Sequence, residues 1–245
     1  MATNNPIQDV LDKARKVHEP YAKKNPNRET TQKKEKEDKF EPIKATTQYG
    51  SYENYMGKDL INISPNQKTF KNAILEVAQP AKNEVLYVFD KNGNTLAKWG
   101  GEHGSVVGDD IENYKYSATL HNHPRQLGTV NTPISDGDLV SYFDDDKNIN
   151  HYVVTEKYVF KFNIGKADKR NSESIVTSYR NEIKKIKDDF FMPTIKQAKS
   201  YRDVIDATEK SNNLTHEALG KLASKYGFRY FRYPIEDFKK RNNIV

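Results

Sequence analysis

Two histidines near the middle of the chain have the residue type and spacing that suit metal binding. His121 and His123 lie two positions apart at the end of segment 116–123, which is predicted as a β-strand. Because alternate residues of a strand point to the same face, both imidazoles can converge on one ion. Neutral imidazole nitrogen suits zinc and related transition metals. The pair therefore predicts a metal site at the end of this strand.

A third ligand is expected from the helix that follows. Pro124 ends the predicted strand, and after a loop the residues Ser135-Asp136-Gly137-Asp138 open a predicted helix, 136–144. An aspartate in the first turn of that helix can return to the strand end, and three protein ligands with one open position are typical of a catalytic zinc site. The chain has no Cys, which excludes disulfides, thiol catalysis and Cys-type zinc sites.

Each part of this pattern also has a simpler explanation. An H-x-H pair arises often by chance in a chain with six His. Ser135 followed three residues later by Asp138 is also the pattern of a helix capping box, which needs no metal. The combination, in this order along the chain, favours the metal interpretation. The remaining histidines are predicted to be ordinary surface residues: His18, His103, His151 and His216.

The sequence Leu-His-Asn-His-Pro at 120–124, followed by Ser-Asp-Gly-Asp at 135–138, resembles the JAMM motif of the JAB/MPN metalloproteases, particularly their prokaryotic and phage members. The resemblance covers residues 65–165. It implies a JAB/MPN-like (cytidine-deaminase-like) α/β fold and zinc bound by His121, His123 and Asp138. The spacing between the second histidine and the serine is about four residues longer than in the family, within a loop that tolerates insertion. Asp136 therefore stays open as the alternative third ligand.

The family motif also includes a catalytic glutamate on an earlier strand. Glu84 begins a predicted strand, and its side chain is expected on a mostly apolar face of that strand. A carboxylate on such a face costs free energy unless it has a function there. We therefore favour Glu84 over Glu102, in the Gly-rich turn 100–104, and over Glu76, in a predicted helix. The resemblance implies that Glu84 transfers the proton of the attacking water. It also implies that Ser135 stabilises the developing oxyanion.

The activity implied by the resemblance is zinc-dependent hydrolysis of a peptide or isopeptide bond in a protein or peptide substrate. A non-enzymatic function stays open: an assembly or binding component of a phage particle or toxin system, with a structural or degenerate metal site and basic flanks that bind its partners. Nucleic-acid binding through the basic C-terminal segment is a less favoured alternative. The expected location is the cytoplasm of a bacterial host or a phage particle.

Charge and hydropathy divide the chain into three segments. We predict an N-terminal helix and charged linker at 1–46, the metallopeptidase domain at 47–165 and a basic helical C-terminal extension at 166–245. The net charge of +6 is an average, because residues 41–164 hold 12 basic and 16 acidic residues whereas residues 165–245 hold 18 and 11. No stretch approaches the ~20 apolar residues of a membrane span, and the N-terminus has no apolar signal core. We therefore expect neither membrane insertion nor Sec export.

The elements that would position the site alternate between helix and strand. A helix is predicted at 67–79, a hairpin at 84–90 and 95–99 around Asn92-Gly93, and two strands at 151–155 and 158–162. Helical spacing recurs from Ile175 to Ile186 and over 214–226, with Gly227 as the stop. The tail FRYFRYP is predicted as a strand or docking edge. Together these elements indicate a mixed β-sheet flanked by helices, an α/β (α+β) fold.

Overall fold

The computed structural model describes residues 68–81, 83–101, 105–108, 111–125, 128–129, 131–145 and 148–244. The predicted N-terminal helix and charged linker lie outside the described residues. Within them the fold is mixed α/β, as predicted, with a six-stranded sheet in the order β2-β1-β3-β4-β5-β6 and helices packed against it.

The helices and strands alternate along the chain much as the sequence predicted. In chain order they are α1 (Lys68–Val77), β1 (Val85–Phe89), β2 (Thr95–Gly100), β3 (Ala118–Asn122), α2 (Asp136–Asp144), β4 (Asn150–Val154), β5 (Tyr158–Asn163), α3 (Ser172–Ile186), α4 (Met192–Gln197), α5 (Tyr201–Tyr226), β6 (Arg229–Pro234) and α6 (Ile235–Arg241). A π-helical turn, Lys187–Phe191, joins α3 to α4. None of the helices in the described part of the chain combines the length and apolar content needed to cross a membrane.

The parallel pair at the centre of the sheet decides where the candidate site lies. β1 pairs antiparallel with both β2 and β3, and β4, β5 and β6 are antiparallel neighbours, whereas β3 and β4 run parallel. A parallel pair needs a crossover connection, which α2 provides here. In open α/β sheets, ligand sites lie at the carboxyl ends of such strands. The start of α2 can therefore approach the end of β3.

Apolar side chains cover both faces of the sheet. One face packs against α1 and α6 through residues such as Phe70, Leu120 and Phe238. The other packs against α2, α3 and α5 through residues such as Phe162 and Tyr179. Burying each of these large side chains contributes about 1.5–3 kcal/mol. The two cores hold β3 between them, so its residues are all buried.

The segment predicted as a helical C-terminal extension also supplies part of the sheet. FRYFRYP forms the edge strand β6, which pairs with β5 from Tyr158↔Pro234 to Asn163↔Arg229. α5 has 26 residues and ends at Gly227, as predicted, in a left-handed conformation (φ 83°) that favours glycine. It begins well before the predicted 214–226 helix. This helix covers the same sheet face as α2.

Candidate metal centre

The end of β3 presents two imidazoles on the same face of the sheet. His121 lies on β3, and His123 follows the strand but keeps its extended path because its N–H donates to the Val154 carbonyl at 2.9 Å. Pro124 comes next and cannot donate to the ladder, so the pairing stops there. The two Nε2 atoms are 3.1 Å apart. The predicted convergence of the histidines is therefore present.

The first turn of α2 brings an aspartate to this pair. Asp138 Oδ1 lies 3.3 Å from His121 Nε2, and its Oδ2 lies 3.2 Å from His123 Nε2. The three side chains form a group that could hold a metal ion. Asp136, the alternative ligand, points elsewhere and pairs with Arg180, at 2.7 Å between Oδ2 and Nε. The structure thus brings Asp138, and not Asp136, to the histidines.

The capping box foreseen as a simpler explanation is also present, on the same carboxylate. Asp138 Oδ2 accepts hydrogen bonds from the Ser135 N–H at 2.8 Å and the Ser135 hydroxyl at 2.7 Å, while the Asp138 N–H donates to Ser135 Oγ at 3.0 Å. The helix cap therefore fixes the aspartate that faces the histidines. Because the Ser135 hydroxyl donates its single hydrogen to Asp138, it would have to turn away to stabilise an oxyanion. The proposed role of Ser135 stays a prediction.

The nearest ligand atoms of the three residues are separated by distances close to the edge of a zinc tetrahedron, with each histidine facing a different oxygen of Asp138. Zinc bonds of 2.0–2.1 Å in a tetrahedron set neighbouring ligand atoms ~3.3 Å apart. The separations between His121 Nε2, His123 Nε2 and the Asp138 oxygens are 3.1, 3.3 and 3.2 Å. Two imidazoles and one carboxylate are also a donor set that zinc accepts. The residues therefore fit a divalent transition metal.

Electrostatics couple the three side chains strongly. Burial alone would raise the pKa of the Asp138 carboxyl, but the charges and hydrogen bonds of His121 and His123 hold it well below its usual range. Burial lowers the pKa of His123, and the hydrogen bond and charge of Asp138, with the charge of Glu84, more than offset this and raise it. Metal binding would then compete with the protonation of His123, as is general for imidazole ligands.

Glu84 lies immediately before β1 and beside the histidines. Leu86 on β1 pairs with His121 on β3, and continuing this antiparallel register by two residues brings Glu84 level with His123. Its side chain is buried and lines the same cleft as the triad, and its charge raises the pKa of His123. Glu102 lies outside the described residues. Glu76 is occupied elsewhere, by Lys98 at 2.6 Å.

Asn122, between the two histidines, is a positioning residue that the sequence reasoning missed. Its Oδ1 accepts a hydrogen bond from the Val85 N–H at 2.7 Å, and its Nδ2 donates to the Asn83 carbonyl at 3.1 Å. These two bonds bracket Glu84. Since residues of a strand alternate between faces, the residue between two ligands is free to reach the neighbouring strand. The alternation of faces along the predicted strand was the sequence signal that could have identified Asn122 as a positioning residue.

The triad faces a cleft of about 740 Å³, and α5 forms part of its wall. Ser211, Asn212 and Thr215 of α5 line it, although the sequence analysis did not connect them with the site. Asn212 Nδ2 donates to Asn131 Oδ1 at 3.0 Å. This hydrogen bond links α5 to the loop between His123 and Ser135, which is longer here than in the JAMM motif. In the same loop Gly128 has φ 80°, and a Cβ there would lie 3.1 Å from Ile205 Cδ1 of α5.

The cleft also contains a buried histidine that was predicted to lie on the surface. That prediction is wrong: His151 is 0% exposed, stacks on Tyr142 with ring centroids 4.0 Å apart, and places Nδ1 2.9 Å from Thr119 Oγ1. Burial, then the charge of His121, lowers the pKa of His151 to about 3, although the charge of Asp138 opposes this. His216 is also partly buried, against the Tyr230 hydroxyl at 3.0 Å. Both histidines occupy strand or helix positions that face the core.

Comparison with protein-family models, with curated proteins and with solved structures gave no match. The resemblance to JAB/MPN enzymes is therefore a prediction carried by the local motif alone.

Proposed function

We propose that this protein is a zinc-dependent hydrolase that cleaves a peptide or isopeptide bond, as the resemblance to JAB/MPN metalloproteases implies. The observation that carries the proposal is the convergence of His121, His123 and Asp138, whose ligand atoms lie within 4.8 Å of one another and whose nearest separations are 3.1 to 3.3 Å. The ligands come from the carboxyl end of a parallel strand and the first turn of the next helix. They face a cleft that Glu84 also lines.

The proposed mechanism assigns a task to each side chain. A bound zinc ion would supply a water of lowered pKa and polarise the scissile carbonyl. His121 and His123 present their Nε2 atoms, and Asp138, held by its cap, presents a carboxylate in fixed orientation. Glu84 accepts the proton of the attacking water and passes it to the leaving amine. Ser135, once turned from Asp138, donates a hydrogen bond to the oxyanion.

Zinc content and hydrolysis, measured on the same preparations, separate ligands from the general base. We expect about one zinc per chain after purification with zinc present, and cleavage of some members of a proteome-derived peptide pool, detected by mass spectrometry. Asp138→Asn should lose both zinc and cleavage. Glu84→Gln should keep zinc but slow cleavage by about 10²-fold or more. The matched control is Asp136→Asn, which removes a neighbouring carboxylate that faces Arg180 and should change neither property.

Two results would contradict the proposal. A wild-type protein that binds no zinc under these conditions rules out the metal centre. A zinc-loaded protein whose residual cleavage is the same in Glu84→Gln rules out the assigned base, and the cleavage is then a contaminant or follows another mechanism.

A further inference from the structure

The loop between His123 and Ser135 connects the two elements that carry the metal ligands. Its described residues are mostly packed inside the molecule although several are polar: Thr129 is 0% exposed, Asn131 6% and Thr132 8%. Loops of soluble proteins normally run over the surface, where water satisfies their polar groups. The path of this connecting loop (residues 124–134) is therefore set by its contacts with the rest of the fold.

Helix α5 binds the middle of the connecting loop through hydrogen bonds. Asn212 Nδ2 donates to Asn131 Oδ1 at 3.0 Å and, over a longer distance of 3.4 Å, to Thr129 Oγ1. Asn131 Nδ2 in turn donates to the Glu209 carbonyl at 3.4 Å. The side chain of Asn131 thus contacts α5 at two points about one helical turn apart. These bonds fix the position of the loop relative to the helix.

Close packing supports the hydrogen bonds on both sides. Before them in the chain, Gly128 has φ 80°, and a Cβ there would lie 3.1 Å from Ile205 Cδ1 and 3.1 Å from the Tyr201 hydroxyl, both on α5. After them, the Ile134 carbonyl accepts a hydrogen bond from the buried Tyr179 hydroxyl of α3 at 2.6 Å. The connecting loop therefore meets α5 and α3 before it reaches the cap of α2.

The connecting loop also contacts one of the metal ligands. Burial lowers the pKa of His123, whereas Asp138 and, with a smaller effect, hydrogen bonding with the Thr132 backbone raise it. The contact with Thr132 is irregular, because the buried Nδ1 atom of His123 has no partner at full hydrogen-bond geometry. When Nε2 binds a metal ion, the ring hydrogen lies on Nδ1, and such histidines nearly always donate it to a carbonyl, a carboxylate or water. A change in the path of the loop therefore alters the surroundings of a ligand.

We propose that Asn131 and Asn212 are positioning residues of the metal centre. Their hydrogen bond fixes the connecting loop on α5 and so sets His123, which precedes the loop, relative to Asp138, which follows it. The greater length of this loop relative to the JAMM motif then serves to reach α5. The inference rests on the metal binding of the proposed function, but not on hydrolysis.

The first test is the zinc affinity of the full chain, measured by competition with a chelator. We expect Asn212→Ala to weaken zinc binding by about tenfold or more, as the loss of a group that supports a metal ligand commonly does. Asn213→Ala is the matched control, because the Asn213 Oδ1 accepts from Arg232 Nη1 of β6 at 2.7 Å and does not bond the loop. Both variants remove a carboxamide that links α5 to another element, but only Asn212→Ala should change the zinc affinity.

The second test uses cobalt(II) in place of zinc, because its visible absorption depends on the arrangement of the ligands. We expect wild type and Asn213→Ala to give the same cobalt spectrum and Asn212→Ala a different one. Asn131→Ala removes the other half of the hydrogen bond and should reproduce the effect of Asn212→Ala, so it takes its place if that variant does not fold. The double variant should weaken zinc binding by less than the two single effects combined, since both act through one contact.

Three results would count against the inference. An Asn212→Ala variant with the zinc affinity and cobalt spectrum of the wild type would overturn it. An equal loss of affinity in Asn213→Ala would also overturn it, because the loss would then follow from destabilising α5 in general. A wild type that binds neither metal contradicts the metal centre and the inference with it. Metal binding with the expected variant effects but without hydrolysis keeps the inference and contradicts only the proposed hydrolase.

Discussion

A fall from pH 7 to pH 5 is expected to destabilise the metal-free protein through buried histidines, of which His151 lies in the cleft. His151 is 0% exposed, with Tyr142 stacked on its ring, and its pKa lies at about 3 because burial disfavours the charged imidazole. In the unfolded chain the same group returns to its ordinary pKa of 6.5. Between pH 6.5 and pH 3, His151 is therefore protonated in the unfolded state but stays neutral in the native state.

The sign and size follow from this difference in bound protons. The stability that neutral His151 contributes is fully present above pH 6.5 and is lost as the pH falls from 6.5 towards 3. The loss is about 1.4 kcal/mol per pH unit and reaches about 2 kcal/mol between pH 7 and pH 5. His123 acts in the opposite sense, because its raised pKa adds stability that is fully present below pH 6.5 and is lost as the pH rises through its folded pKa. It therefore offsets part of the loss near pH 7, and the slope below pH 6 reports on the buried neutral histidines. Carboxyl groups, with ordinary pKa values near 4, stay ionised in both states.

The assay is urea unfolding at pH 7, 6 and 5 with a chelator present, so that metal release does not contribute. His151→Asn is the informative variant: its amide can still bond Thr119, but it does not titrate. It should unfold with a shallower pH dependence, reduced by about 1.4 kcal/mol per unit below pH 6, whatever its stability at pH 7. The variant still contains His216, whose pKa is also lowered by burial and by Arg232. Its free energy of unfolding should therefore still depend on pH, but less steeply than that of the wild type. An unchanged slope in His151→Asn would refute the reasoning.

Two further substitutions test how the triad is held. Ser135→Ala removes the side-chain cap of α2 and should lower the free energy of unfolding by about 1 kcal/mol in urea; zinc content should persist, because the residue-135 N–H still bonds Asp138. Asn122→Ala leaves the Val85 N–H and the Asn83 carbonyl without their side-chain partner and should cost about 1–3 kcal/mol. It should also slow hydrolysis more than it weakens zinc binding, and an equal loss of both would mean that Asn122 does not act through Glu84.

The strand and helix that carry the triad, β3 and α2, could be predicted because the local sequence patterns there agree with the observed fold. β3 combines an apolar alternating pattern with a proline stop, and α2 begins with a capping box, so both could be read within a few residues. The same two features fix the triad, since the strand period places the histidines on one face and the cap orients Asp138. The convergence of these three side chains could therefore be predicted without knowing which residues contact each other across the fold.

The rest of the site depends on contacts that local patterns do not report. The polar run Ser211-Asn212-Asn213 resembles a loop, yet it lies inside α5 because its side chains bond the 128–131 loop and Arg232 of β6. The S-x-x-D pattern at Ser200, which forms a capping box with Asp203, was the signal that could have placed the start of this helix. His151 had no comparable signal, because its burial comes from helix α2 packing over the strand.

These distant contacts change which part of the chain the candidate site needs. The resemblance to JAB/MPN enzymes covers residues 65–165, but Tyr179 of α3 donates from its hydroxyl to the Ile134 carbonyl at 2.6 Å, just before the cap of α2. α5 closes the cleft from the same side, and β6 pairs with β5 along its length. Without these elements Phe160 and Phe162 would lose the partners that bury them. The local cap orients Asp138, whereas the packing of α2 over the sheet beside β3 also involves α3, α5 and β6, which lie outside the motif segment.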